Sequence, residues 1–226
     1  MQEKEIVVGC EVEAFLAKDN GSKDIELVEP KPLGYPNDEM GFLIEFRSTP
    51  STDIATVIKS IYAQLIDAKN QAHENGMKLL MNDRIYYHKD WIDALAEKYH
   101  VYDFEDKTEN IYGTNESLHL GFSKHNGGYM LHSGLHIHLS VHDPETKDKL
   151  IIPEMTIKNI IRRMDTLYDR EIMYAGRFPG EWEPKETSKF GDLYRFEYRS
   201  LPCNVDLFRA LPAARDICRQ EIETQT

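Results

Sequence analysis

The sequence predicts an α+β domain: a twisted, mainly antiparallel sheet with helices on one face and an open, charged cleft on the other. Four short segments alternate apolar and ionisable residues with period two, the pattern of strands buried on one side only. Two long segments repeat apolar residues at helical spacing, and amphipathic helices need an apolar sheet face to cover. The 226 residues are 41% apolar and 29% charged, enough for one sizeable core, and no linker or internal repeat divides them, so a single domain over 1–226 is expected.

Residues 6–16, IVVGCEVEAFL, begin as a plain apolar strand; from Cys10 onward Cys10, Val12 and Ala14 oppose Glu11, Glu13 and Phe15. Asp19, Asn20 and Gly21 supply a turn, 25–28 a short return strand, and 31–40 a loop rich in Gly, Pro and Asn. Residues 42–49 form a second strand, with Ile44 and Phe46 facing one way and Glu45 and Arg47 the other. Pro50 breaks it, and Ser51 or Thr52 caps a helix in which Ile54, Val57, Ile58, Ile61, Leu65 and Ala68 recur up to Gly76. A buried strand at 78–81 and a short helix at 90–99 follow. Tyr86, Tyr87, His88 and Trp91 read as core aromatics at the start of that helix, and 101–128 as a long loop or flap.

Residues 129–141 read as one strand that carries GLHIHLS at 134–140: Leu135, Ile137 and Leu139 alternate with His136, His138 and Ser140. Pro153 opens a long helix with the stripe Met155, Ile160, Ile161, Met164, Leu167, Tyr168 and Ile172, closed by Gly176. A loop is expected at 177–192. The last strand, 194–201, places Arg195, Glu197 and Arg199 on one face, and a closing helix spans 206–223 with Pro212 inside it.

One face of this sheet therefore collects Glu11, Glu13, Glu45, Arg47, His136, His138, Arg195, Glu197 and Arg199. Carboxylates with imidazole suit hard divalent cations such as Mg²⁺ or Mn²⁺, and guanidinium groups suit phosphate. Together they are what phosphoryl transfer from a nucleotide needs. The plainer alternative is a solvated sheet face with cross-strand Glu–Arg pairs, each worth about 0.2–1 kcal/mol. Glu11 and Glu13 fit that alternative least, because two like charges on one strand face repel unless a cation lies between them.

In order along the chain, GCEVEAF, LIEFRS, SGLHIHLS and YRFEYRS resemble the carboxylate–amine ligases related to glutamine synthetase and glutamate–cysteine ligase, in particular the small amidoligases of bacteriophages and bacteria. The resemblance covers most of the chain, but no family motif falls between 78 and 128. It implies a fold like the catalytic domain of glutamine synthetase, binding ATP and two or more Mg²⁺ or Mn²⁺ ions on the open sheet face. It further implies phosphorylation of a carboxylate, followed by attack of an amine on the acyl phosphate. By the same resemblance Glu11 and Glu13 would each bind a different ion, and Glu45 would add a carboxylate. His136 would be a metal ligand and His138 a contact to the ATP phosphates. Glu197 would join His136 at the ion holding the γ-phosphate, and Arg195 and Arg199 would stabilise the phosphoryl group in transit. Arg170 and Arg177 are further phosphate candidates. The chain is far shorter than glutamine synthetase and has no recognisable ammonium site, so an amino acid, peptide or other small amine is the expected acceptor.

Net charge of −12 argues against nucleic acid or an anionic membrane as the main partner. No apolar run approaches the roughly 20 residues that span a bilayer, and the first residues lack the basic start and apolar core of a signal peptide. Cys10, Cys203 and Cys218 are scattered, which suits structural thiols in a reducing cytoplasm better than a disulfide framework or a zinc site. Two other classes compete with the ligase: a metal-dependent hydrolase built on the histidine pair, and an inactive nucleotide-binding relative. His132 shares the parity of His136 and is a further candidate.

Overall fold

The computed structural model describes residues 3–19, 21, 25–30, 33–34, 43–98, 108–113, 122–125 and 128–224. In chain order its elements are β1 (Glu5–Lys18), β2 (Leu43–Arg47), α1 (Ile54–Glu74), β3 (Met77–Leu80), β4 (Arg84–His88), α2 (Lys89–Lys98), β5 (Glu109–Asn110), β6 (Phe122–His125), β7 (Gly128–His132), β8 (Gly134–His142), β9 (Lys149–Leu150), α3 (Glu154–Leu167), α4 (Asp169–Ala175), β10 (Glu181–Thr187), β11 (Leu193–Pro202) and α5 (Leu207–Glu223). The fold is mixed α+β with a mainly antiparallel sheet, the class that the two periodicities predict. No described helix is long and apolar enough to cross a membrane.

Eight strands form one sheet in the order β2-β1-β8-β11-β10-β5, with β3 also paired to β1 and β9 to β8. β1 is long enough to be flanked by successive partners. Phe15 pairs with Leu43 of β2 on one side and Leu80 of β3 on the other, while nearer the N-terminus Glu11 pairs with His136 of β8. The even-numbered residues of β1 from Ile6 to Leu16 join Leu135, Ile137 and Leu139 of β8 and Phe196 and Tyr198 of β11 in the main core, closed by α1, α3 and α5. Each fully buried side chain of this size contributes about 1.5–3 kcal/mol of transfer free energy.

The odd face of β1 changes character along its length. Glu11 and Glu13 give way to Phe15 and Ala17, which lie in a second core with Leu43, Ile85, Ile92 and Leu131. A three-stranded sheet, β4-β7-β6, and α2 cover this end. The charged face begins where that cover stops.

Several elements differ from the sequence expectation, each for a local reason. The single strand expected at 129–141 is two strands in two sheets. β7 ends at His132, and the buried Ser133, whose hydroxyl donates to the Asn82 carbonyl at 2.5 Å, turns the chain into β8. Residues 84–88 form β4 rather than a helix start, with Ile85 buried and its neighbours exposed. Within the expected 177–192 loop lies β10, whose Trp182 enters the core; past Trp182 it has no second neighbour among the described residues, so Pro184 forfeits no ladder bond to them on that side. Of the expected 101–128 flap, the described parts include β5 with the turn after it, β6 and the start of β7, and the remainder lies outside the described residues, as does most of the 31–40 loop. The return strand at 25–28 reduces to one bridge, Ala17 to Leu27.

Helix ends also shift. Asp53, rather than Ser51 or Thr52, caps α1 by accepting the N–H groups of Ala55 and Thr56. The long helix expected from Pro153 to Gly176 breaks at Tyr168 into α3 and α4, and Gly176 closes α4 at φ +68°, a left-handed conformation that favours glycine. Met155 and Leu167 are exposed instead of lying in the stripe, whereas Ile157 and Asp165 are buried; Tyr198 donates to Asp165 at 2.7 Å. α5 runs on past Pro212.

Candidate metal centre

Strand register builds the charged row. Glu45 stands opposite Glu13 and Arg47 opposite Glu11 between β2 and β1. Glu11 stands opposite His136, His138 opposite Glu197, and Glu197 opposite Glu183 on β10. Directly opposed residues on one face hold their Cβ atoms about 4.5–5.5 Å apart, so each pairing brings one ionisable group against the next.

His136 sits at the centre. Its Nδ1 is 3.0 Å from Glu197 Oε1 and 3.9 Å from Glu11 Oε2, and its Nε2 is 3.8 Å from Glu13 Oε1. His138 Nε2 lies 3.4 Å from Glu11 Oε1 and 3.8 Å from Glu197 Oε2. Glu11, His136 and Glu197 each offer one ligand atom, all within 4.8 Å of one another. Metal bonds of about 2.0–2.2 Å set ligand atoms roughly 3–4 Å apart, so little movement is needed for the three to share one ion. Buried polar atoms point the same way. His138 Nδ1 has no hydrogen-bond partner among the described residues, and His136 Nδ1, His138 Nε2 and Glu197 Oε2 meet only ionisable neighbours, Glu197 Oε1 at 3.0 Å, Glu11 Oε1 at 3.4 Å and Lys185 Nζ at 2.7 Å. A divalent cation bound here would be shared by these carboxylates and imidazoles. This donor set fits Mg²⁺ or Mn²⁺.

Charge is balanced within the row. Burial works against ionisation of Glu197, but Arg199 and then His136 and His138 outweigh it and hold the carboxyl well below the usual range. Burial likewise opposes a charged Glu11, and the two imidazoles again win. Burial and Arg199 disfavour a proton on His136, yet Glu13, Glu11 and Glu197 raise its pKa to about 9. Glu45 moves the other way. Burial, Glu13 and Glu11 push it up to about 7, against the pull of its ion-pair partner Arg47. Carboxylates that raise one another's pKa favour a cation between them.

The structure thus brings together Glu11, Glu13, Glu45, His136, His138, Glu197 and Arg199. Arg199 Nη1 is 2.8 Å from Glu197 Oε1, although a register shift follows Tyr198. Arg195 stands farther along β11, opposite Ser140, and its buried Nε has no hydrogen-bond partner among the described residues. Arg177 is buried and donates from Nη2 to the backbone carbonyl of Arg199 at 2.5 Å. His132 belongs to the small sheet; burial, Arg177 and Arg84 lower its pKa to about 4. Arg170 is exposed on α4.

Two members of the row lay in the segment read as a loop. Glu183 Oε2 is 3.1 Å from Arg199 Nη1, and Lys185 Nζ is 2.8 Å from Glu183 Oε2 and 2.7 Å from Glu197 Oε2. The alternation Glu181, Glu183, Lys185 about Trp182 was the available signal. Cys203, by contrast, is buried beside Ser133, and burial pushes its thiol up to about 12, as befits a structural cysteine. No known protein-family profile matches the chain, and no curated protein matches it.

Proposed function

We propose that the protein is an ATP-dependent ligase that uses Mg²⁺ or Mn²⁺ to join a carboxylate to an amine through an acyl phosphate. One observation carries this reading: the Glu11–His136–Glu197 group is buried next to a guanidinium, Arg199, that shares the same carboxylate. Bound divalent cations would draw charge from the γ-phosphate and orient it. Glu11, His136 and Glu197 would hold one ion, and Glu13 with Glu45, neighbours across the β1–β2 ladder, would hold a second. His138 and Arg195 would contact the nucleotide phosphates. Arg199 would stabilise the negative charge on the phosphoryl group as it transfers, and Arg177 would fix the backbone that carries Arg199. The carboxylate oxygen attacks the γ-phosphorus and ADP leaves. The amine then attacks the acyl carbon, and phosphate departs as the amide forms and the nitrogen releases a proton to the phosphate or to solvent. Both substrates are read as small molecules or peptides.

Thermal unfolding with Mg²⁺ alone, ATP alone and both together tests the proposal. Both together should raise the melting temperature beyond either alone, equivalent to about 2.7 kcal/mol at a hundredfold excess over Kd. In Glu197→Gln that gain should vanish while the far-UV spectrum stays unchanged. Stabilisation by Zn²⁺ alone, with none from Mg²⁺ and ATP, would favour a metal-dependent hydrolase instead.

A further inference from the structure

Glu183 and Glu197 stand directly opposite each other in the β10–β11 ladder, on the same face. Like charges so placed repel, and two cations, Arg199 and Lys185, reach between them. Lys185 Nζ donates a hydrogen bond to Glu183 Oε2 at 2.8 Å. Its contact with Glu197 is as close, Nζ lying 2.7 Å from Glu197 Oε2. On the opposite side of the carboxylate, Oε1 faces Arg199 Nη1 at 2.8 Å and His136 Nδ1 at 3.0 Å.

An ammonium this close to Glu197 and a divalent cation ligated by Glu197 would be two cations within a few Å of each other. At the effective dielectric of a partly buried site they repel strongly. One of them must yield. Arg199 and Lys185 both contact Glu183 and Glu197; of the two, Lys185 has the flexible four-carbon stem and the more exposed side chain, 24% against 18%, and it can keep Glu183 on leaving Glu197. We propose that Lys185 is a displaceable counter-ion of the metal centre: it holds Glu197 in the metal-free protein, competes with the divalent cation for that carboxylate, and withdraws to Glu183 when the ion binds. Lys185 thereby sets the threshold of metal affinity. This rests on the metal-centre reading of Glu11, His136 and Glu197 and on nothing about the nucleotide.

The test uses the full chain stripped of metal, with Mn²⁺ as the added ligand for affinity and diamagnetic Mg²⁺ for NMR. Lys185→Gln should bind Mn²⁺ at least about fivefold more tightly than wild type, whereas Lys185→Arg, which keeps the charge, should not. In the wild-type protein the Lys185 side-chain NMR signal, identified by its loss in Lys185→Gln, should shift in step with Mg²⁺ saturation. Unchanged or weaker Mn²⁺ binding by Lys185→Gln, or a lysine signal unmoved at Mg²⁺ saturation, overturns the proposal while leaving the metal centre standing. Absence of Mn²⁺ binding by wild type and both variants overturns the proposal and the metal centre together.

Discussion

Glu13 accepts the backbone N–H of Gly134 at 2.5 Å, tying the charged row to the point where the chain leaves the small sheet for the large one. The same glycine admits the central imidazole. A Cβ at position 134 would lie 2.8 Å from His136 Nε2 and 3.1 Å from Arg177 Nη2. Gly134→Ala should therefore displace the His136 ring, at a cost of about 1–3 kcal/mol from overpacking. Denaturant unfolding would give that cost, and an Mn²⁺ titration of the folded variant should show the larger loss. Native-like Mn²⁺ affinity in Gly134→Ala would show that His136 is not the ligand.

The proton on His136 makes the metal-free protein sensitive to pH. Its folded pKa of about 9 is above the ordinary imidazole value of 6.5, so the folded state holds the proton more tightly than the unfolded chain does. The stabilisation is fully present below about pH 6.5 and is lost as pH rises through about 9. Unfolding free energies measured in a chelator should fall across that window, and His136→Gln should flatten the slope. Divalent metal needs the neutral imidazole, so Mn²⁺ should bind more tightly at pH 9 than at pH 7, by up to about tenfold per pH unit. A Mn²⁺ affinity independent of pH would argue against ligation through this ring.

Much of the row was readable because strict alternation survives folding. Glu11 and Glu13, Glu45 and Arg47, His136 and His138, and Glu197 all lie on the face that their parity assigns. Other features were hidden for physical reasons. Parity runs unbroken from His132 through Gly134 to His136, so periodicity could not reveal that the chain changes sheets at Ser133. Pro184 among charged residues imitates a loop, yet it lies beyond the described β5 pairing and a strand there is tolerated. For that reason Glu183 and Lys185 escaped notice. The cover over Phe15 and Ala17 depends on the long-range pairing of β4 with β7, which no local pattern encodes.

All three cysteines are buried, and burial raises each thiol to about 12. The thiolate is the reactive form. A thiol-specific reagent at pH 8 should find none of Cys10, Cys203 and Cys218 in the native protein and all three in denaturant. Rapid native labelling of Cys203 would revive a nucleophilic role for it.

Two arginines that the sequence offers as phosphate contacts should separate experimentally. Arg177 is buried and donates to the Arg199 carbonyl, so Arg177→Gln leaves a buried acceptor poorly satisfied and should lower stability by about 1–3 kcal/mol. Arg195 is only half-buried, lies opposite Ser140 and has no ion-pair partner within 4 Å among the described residues. A cation so placed beside a carboxylate-rich row is available for an anionic ligand. Arg195→Gln should keep wild-type stability and Mn²⁺ affinity and lose the extra stabilisation that Mg²⁺ with ATP provides. Equal stabilisation of wild type and Arg195→Gln by Mg²⁺ with ATP would remove Arg195 from the phosphate site. A large fall in the stability of the ligand-free variant would instead make Arg195 a structural residue like Arg177.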